Sequence, residues 1–400
     1  MNVLFLSLLS INSLEEGNIY SDLLSEFAKN GHFVYAVSPL ERRNKQKTHV
    51  IEGENYKILR NKILNIQKTN IIEKGLSTLL IERNTLKAIK KHFKGVKFDL
   101  VLYSTPPVTF AGVVKYFKKR GATTYLMLKD IFPQNCVDLG MFSRGSIFYK
   151  FFRRKEKKLY GLSDYIGCMS EANVKFLLEN NPELNKDRVE VFPNSEKLQD
   201  NSLTEQEKQE IKKQYNLPQD KIIVCYGGNL GRPQNVDFLL ECIAKTQNDK
   251  FHFLIVGGGT HASKVEEQAK TSSNLTYFSN MPKKDYISLL GSSDVGLIAL
   301  DKRFTIPNFP SRCLSYLKAK LPVMCFTDKA SDMGDKAEEF GFGAKEISDS
   351  VENFEKLLTY FEDNQKNKTM GENGFKYFCD NYDVEKTYPI IINKLKGKNL

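Results

Sequence analysis

Three short stretches of this chain hold the residue types that anion chemistry needs. Gly227-Gly228-Asn229-Leu230-Gly231-Arg232 follows an apolar run, Ile222–Tyr226, and precedes a helical pattern that starts at Val236. Glycines let backbone N–H groups approach an anion, the start of a helix adds partial positive charge, and Arg232 offers a fork of donors. Gly257-Gly258-Gly259 repeats the arrangement after Phe251–Val256. Ser311-Arg312 opens a predicted helix, Cys313–Ala319, with Ser311 expected as its cap and Arg312 as a second cation. None of these is a P-loop, since no G-x-x-x-x-G-K-[ST] occurs, and neither glycine run completes G-x-G-x-x-G. A glycine after a strand is often only a tight turn. Two such runs with two arginines in one region favour a phosphorylated ligand.

Acid–base candidates lie in the first half. Asp130 follows the predicted strand Thr124–Leu128, where α/β enzymes place functional groups, and is the best candidate for a base or a contact to the reacting groups. Lys129 beside it would either stabilise a departing phosphate or face solvent. Glu15-Glu16-Gly17 follows the first strand, and Glu16 is the candidate to face a ligand. The ordinary alternative is that these acids complement a helix start. No pair of carboxylates in the sequence suggests two-acid hydrolysis.

The elements that must position these residues alternate. Predicted strands Val3–Leu8, His32–Val37, Leu100–Tyr103, Thr124–Leu128, Tyr165–Met169 and Val189–Phe192 are separated by amphipathic helices such as Ile19–Asn30 and Thr109–Arg120, each followed by glycine. A polar helical stretch, 201–216, follows. The pattern then restarts with Ile222–Tyr226, a helix Val236–Lys245, and strands Phe251–Val256, Leu275–Phe278, Asp294–Ala299 and Pro322–Phe326. Repeated strand–helix–strand units give parallel sheets covered on both faces. The spacing predicts an α/β chain of two Rossmann-like doubly wound domains, with ligands at the carboxyl ends of the strands in a cleft. The domains are expected at 1–195 and 196–375, with 376–400 as a C-terminal helix packing back on the first.

Charge divides the same way. Residues 1–200 carry 32 Lys+Arg against 21 Asp+Glu, and residues 201–400 carry 27 of each, so the whole +11 sits in the first half. The opening run MNVLFLSLLSI is short, lacks basic residues before it and is followed by Glu15-Glu16, so it reads as a buried strand rather than a signal peptide. Seven scattered cysteines without C-x-x-C fit reduced core thiols, and five scattered histidines have no ligand spacing. With no Asp-x-Asp either, no metal and no cofactor are expected. Base-stacking and groove-reading motifs are absent, so nucleic acid is not an expected partner.

In order and spacing the chain resembles the family 4 glycosyltransferases of GT-B architecture. The resemblance is carried by Gly31-His32-Phe33-Val34, Pro193-Asn194, Gly228-Asn229-Leu230-Gly231, Val236-Asp237-Phe238-Leu239-Leu240, Val256-Gly257-Gly258-Gly259, Ser293-Asp294-Val295-Gly296-Leu297 and Pro310-Ser311-Arg312, then Tyr316-Leu317 and Leu321-Pro322-Val323. Lys129-Asp130-Ile131-Phe132-Pro133-Gln134 and Glu73-Lys74-Gly75 are similar to bacterial capsule and O-antigen transferases of N-acetyl-fucosamine type. The resemblance implies a UDP-sugar in the second domain. Its diphosphate would meet Gly228, Asn229, Gly231, Arg232, Pro310, Ser311 and Arg312, and its uracil Gly257, Gly258 and Met281. Gly17 is what remains of the family's glycine-rich loop in the first domain. Where the family has a lysine this chain has Gln234, and the family's Glu-x7-Glu pair falls on Pro307 and Ser315, leaving Ser315 to meet the ribose. Metal independence and retention of configuration are further implications.

One helix gives the basic half a use. Residues 144–158 carry seven cations, one acid and four aromatics. Such a helix would lie on an anionic bilayer through Phe148, Phe151, Phe152, Arg153, Arg154 and Lys155. The expected protein is therefore a peripheral enzyme at the cytoplasmic face of the membrane. It would move a sugar, such as N-acetyl-fucosamine or another N-acetylhexosamine, from a UDP-sugar to a polyprenyl-diphosphate-linked sugar in capsule or O-antigen synthesis. The rivals are a nucleotide-sugar epimerase of the same fold and a non-catalytic binder of nucleotides or polyanions.

Overall fold

The computed structural model describes residues 1–66 and 71–397. Eight strands form the first sheet: β1 (Asn2–Leu6), β2 (Phe33–Glu41), β3 (His49–Gly53), β4 (Tyr56–Ile63), β5 (Leu100–Ser104), β6 (Thr123–Leu128), β7 (Tyr165–Cys168) and β8 (Val189–Val191). Six form the second: β9 (Ile222–Asn229), β10 (Phe251–Gly258), β11 (Leu275–Phe278), β12 (Val295–Ala299), β13 (Val323–Thr327) and β14 (Gly343–Ile347). The orders are β3-β4-β2-β1-β5-β6-β7-β8 and β11-β10-β9-β12-β13-β14. Every pairing is parallel except β3 with β4. Both are doubly wound sheets. Connections leave in opposite directions from β1 and β5 in one, and from β9 and β12 in the other, which creates the crevices where such sheets hold ligands.

The central strands are apolar at nearly every position because helices cover both faces. Val3, Phe5, Leu100, Leu102, Tyr125 and Met127 anchor the first core. Val224, Tyr226, Phe253, Ile255, Leu297 and Phe326 anchor the second. Most expected elements appear within two residues of their predicted bounds. Three strands were not expected. β4 (YKILRNKI) reads as broken by Arg60, yet Arg60 is buried, and its Nη1 donates to Ser10 Oγ (2.9 Å), Ile11 O (2.8 Å) and Ser38 Oγ (3.1 Å). β3 pairs with it as an exposed antiparallel edge, and β14 (GAKEI) ends the second sheet as a five-residue strand whose Lys345 and Glu346 break its apolar run.

The chain divides into unit 1, Met1–Lys197 with Val384–Leu400, and unit 2, Leu198–Asp383. The return to unit 1 falls at Val384 instead of residue 376, because Asn364–Asn381 is one continuous helix within unit 2. The last helix, Val384–Lys396, sets Tyr388 edge-on to Phe27 at 4.9 Å and within 2.8 Å of His32 Nε2, and Thr387 Oγ1 donates to Ser195 Oγ at 2.7 Å. Glu73-Lys74-Gly75 fall in the helix Ile71–His92, and their side chains lie outside the described residues. Among the described residues no helix is long and apolar enough to cross a membrane.

Candidate functional site

In unit 2 the glycine runs meet as neighbours on adjacent strands. Gly228 pairs with Gly257 and Asn229 with Gly258, so what was expected as loop extends the parallel ladder of β9 and β10. Close approach explains the glycines. A Cβ on Gly257 (φ +150°) would lie 1.9 Å from the Gly228 carbonyl oxygen, and one on Gly227 would lie 2.0 Å from the Tyr286 hydroxyl. Gly228 (φ +129°) differs: a Cβ there would meet the Arg312 guanidinium at 3.6–3.7 Å. The backbone at Gly228 and Asn229 is exposed beside that cation.

Arg312 begins the helix Arg312–Lys318. Its guanidinium stacks on the Tyr226 ring at 4.5 Å, and its Nη1 is buried with no hydrogen-bond partner among the described residues. A permanently charged donor in that state marks a place for an anion. Ser311 does not cap the helix as expected. Its backbone is already helical (φ −62°, ψ −18°), which keeps the hydroxyl from reaching back to the helix N–H groups. Ser315 is half-buried one turn on, and Pro310 is half-buried before it.

Gln234, at the family's lysine position, acts as a brace. Its Oε1 accepts from Asn229 Nδ2 (3.0 Å) and from Gly231 N (3.2 Å), which fixes the turn that follows β9. Asn229 therefore presents its backbone, with its side-chain amide turned to Gln234. Arg232 is exposed on the same turn. Asp301 N donates to Pro233 O at 2.9 Å, and the Asp301 carboxylate is held bidentately by Arg303 at 2.9 and 2.6 Å, tying the turn to the end of β12. Beside β10, Asn280 comes within 3.0 Å of a Cβ built on Gly258, which places the Asn280-Met281 loop next to Gly257 and Gly258. Sequence reasoning missed the tyrosine cage of Tyr226, Tyr286 and Tyr316. Tyr316 accepts from Gly227 N at 3.2 Å and donates to Leu297 O at 3.0 Å. The only signal for it was aromatic residues flanking glycines.

In unit 1, Asp130 and Lys129 diverge. Asp130 follows β6, and both its carboxylate oxygens accept from Asn135 Nδ2, at 2.9 and 3.0 Å. Its carbonyl accepts from Thr105 Oγ1 at 2.9 Å. Burial pushes its pKa up to about 6, against the opposing pull of the Asn135 bond, and Tyr20 and Ser104 lie nearby. Lys129 turns the other way. Its Nζ donates to the carbonyls of Phe192 and Pro193, each at 3.3 Å, and burial pushes its pKa down to about 7. That is a bracing position at the end of β8. Glu16 also serves its own loop, accepting from Asn12 N (2.8 Å) and Asn12 Nδ2 (3.0 Å), and Gly17 (φ +66°) makes the turn after it.

The amphipathic helix forms over Ile147–Leu162, capped by Ser146 Oγ, which accepts from Tyr149 N at 3.1 Å. Ile147 is 84% exposed, Phe148 68% and Phe151 37%, with Arg154 exposed among them. Two expected surface residues are structural instead. Arg153 is drawn inward by Glu156, Asn180 and Asn181, and Phe152 packs edge-on to Phe132 at 4.9 Å. Lys155 sits 5.6 Å from the Phe151 ring. Among the described residues no group of three or more His, Cys, Asp or Glu is placed to hold a metal.

Residues 207–377 match the family model of glycosyl transferases group 1. The chain is 25% identical over 288 residues to the "Probable glycosyltransferase WbjE" of Pseudomonas aeruginosa, covering 69% of this chain and 68% of that one. Among solved structures, sucrose-phosphate synthase from Thermosynechococcus elongatus superimposes with a TM-score of 0.77 at 14% identity, over 100% of this chain and 98% of that one. Anabaena HepE in complex with UDP does so with a TM-score of 0.70 at 12% identity, over 99% and 100%. The fold is GT-B, as the sequence implied, and the comparisons support a glycosyltransferase.

Proposed function

We propose that the enzyme transfers a sugar from a UDP-sugar to a polyprenyl-diphosphate-linked acceptor at an anionic membrane surface, without a metal and with retention of configuration. The observation that carries the donor half is the buried Nη1 of Arg312, without a hydrogen-bond partner among the described residues, beside the exposed backbone at Gly228. A diphosphate supplies the missing acceptors, and N–H groups at the ends of β9 and β10 add neutral donors. The Gly258 and Met281 region takes the base, as the family resemblance implies. The UDP complex of a protein with this fold supports the choice of nucleotide. Loss of the family's acid pair leaves Ser315 as a neutral partner for the ribose.

In the transfer, the bond from the anomeric carbon to the diphosphate breaks and one to the acceptor hydroxyl forms. Arg312 stabilises the charge that gathers on the departing UDP. Asp130, with a pKa near neutrality, accepts the acceptor's proton. The exposed Ile147, Phe148 and Phe151 among cations support contact with anionic lipid, and so a membrane-borne acceptor. The sugar is an N-acetylhexosamine on the family resemblance alone.

The test is a titration of UDP against the full chain and its Arg312→Ala variant. Removing a charged donor costs about 1.5–3 kcal/mol, so affinity should fall by about 10- to 100-fold. No saturable binding of UDP by the wild type would overturn the donor assignment.

A further inference from the structure

Unit 1 holds a cavity of about 190 Å³ beneath the helix Ile147–Leu162. Tyr149, Arg153, Glu156 and Tyr160 line it from one helical stripe, at spacings of four, three and four residues. Most polar groups in this wall already satisfy one another. Arg153 Nη1 donates to Glu156 Oε2 at 2.5 Å, and its Nη2 to Asn180 O at 2.9 Å and Asn181 Oδ1 at 2.6 Å. The Tyr160 hydroxyl donates to Glu156 Oε1 at 2.6 Å. The wall is thus close to neutral, with its charges paired.

Two donors remain without partners among the described residues: the Arg144 guanidinium and the Tyr149 hydroxyl. Both line the cavity at the end where the helix begins. The exposed surface at that same end is apolar, with Met141 54%, Ile147 84% and Phe148 68% accessible. An uncommitted cation and hydroxyl next to exposed hydrocarbon match an amphiphile whose anionic head joins a long apolar chain.

We propose that Arg144 and Tyr149 hold the diphosphate of a prenyl-diphosphate-linked acceptor at the mouth of this cavity, with its chain leaving over Met141, Ile147 and Phe148. The inference deepens the acceptor reading above, on which it rests. It assigns recognition of the acceptor's phosphate to residues separate from the Asp130 carboxylate.

The probe is farnesyl diphosphate, titrated against the full chain alongside UDP. Arg144→Ala should weaken farnesyl diphosphate binding about tenfold or more and Tyr149→Phe by about threefold, while Arg154→Ala on the outer helix face changes it by less than about twofold. UDP affinity should be the same in all three variants. Arg144 is exposed and has no partner among the described residues, so its removal leaves the fold intact. Equal losses for Arg144→Ala and Arg154→Ala would overturn the proposal in favour of a diffuse cationic surface for phospholipid. Binding of inorganic pyrophosphate or of farnesol as tight as that of farnesyl diphosphate would overturn it too, by showing that head or chain alone is read. Failure of farnesyl diphosphate to bind a protein that binds UDP would sink this inference and spare the donor site. The Arg144→Ala loss in a protein that does not bind UDP would sustain this inference and sink the donor assignment.

Discussion

The carboxyl edges of the two sheets solve different problems with the same doubly wound arrangement of parallel strands. In unit 2 the edge is built for backbone: Gly227, Gly228, Gly257 and Gly258 clear side chains from the ends of β9 and β10, and one arginine is left with an open donor beside them. In unit 1 the edge is built from side chains. Asp130, Asn135, Thr105, Tyr20 and Ser104 converge from separate segments, and the carboxylate is held by an amide and not by a cation. A phosphate site needs N–H groups and fixed positive charge, which glycine and arginine supply. A base needs a tunable carboxylate, which burial supplies. The difference predicts that the two edges fail in different ways.

The largest effect is expected at Asp130. Asp130→Asn keeps an acceptor for Asn135 but cannot take a proton, so transfer should fall by about 10²- to 10⁴-fold with UDP affinity unchanged. Wild-type turnover should drop as pH falls through about 6, where the carboxyl protonates. Stability moves the opposite way. A carboxyl with a folded pKa of about 6 against an ordinary 3.8 costs stability as pH rises between those values. The Asn variant should therefore melt higher than wild type above pH 6, with the gap closing below about pH 4. A variant with full turnover would break the proposed division of labour.

Unit 2 should fail through its backbone. Gly257→Ala must place a methyl against the Gly228 carbonyl at a φ of +150°, in a conformation that L-residues rarely adopt. The strain should cost about 1–3 kcal/mol, seen as a lower Tm together with weaker UDP binding. An unchanged Tm would show that the paired glycine ladder is looser than its geometry states.

The surface helix offers a third contrast, since Ile147 and Phe148 at its start are 84% and 68% exposed and bury little within the fold. Replacing Phe148 by Ser should leave Tm unchanged and weaken partition onto anionic vesicles by about tenfold, the expected loss for one buried aromatic. Equal partition of variant and wild type would remove the membrane reading of this face.

How far the sequence could be read follows the same divide. Apart from β3, β4 and β14, the strands of both sheets and the glycine runs are legible because their information is local, a run of apolar residues followed by a turn residue. The bracing role of Gln234 is not legible, because it depends on an amide from β9 folding back across the turn. Arg60 misled for the same reason: its partners lie about 22 and 50 residues away, so a buried strand looks polar in isolation. Ser311 has the right type for a cap and the wrong backbone. Arg153 and Phe152 read as surface residues only because the segments that cover them, near Asn180 and Phe132, are distant in the chain.

The smallest predicted effect tests this lesson on adjacent residues. Lys129 and Asp130 are equally plausible catalytic groups by type, but the backbone sends them to opposite sides. Lys129→Met should change turnover by less than about threefold, in contrast to the loss at Asp130, because Lys129 holds two carbonyls at the end of β8 and no reacting group. Its pKa of about 7 in the fold against 10.5 unfolded means that charging the buried amine costs stability, fully below pH 7 and progressively less as pH rises toward 10.5. The variant escapes that cost and loses two long hydrogen bonds. Its Tm relative to wild type should therefore be highest near pH 7 and decline as pH is raised. A turnover loss as large as that of Asp130→Asn, with UDP affinity intact, would return Lys129 to the chemistry.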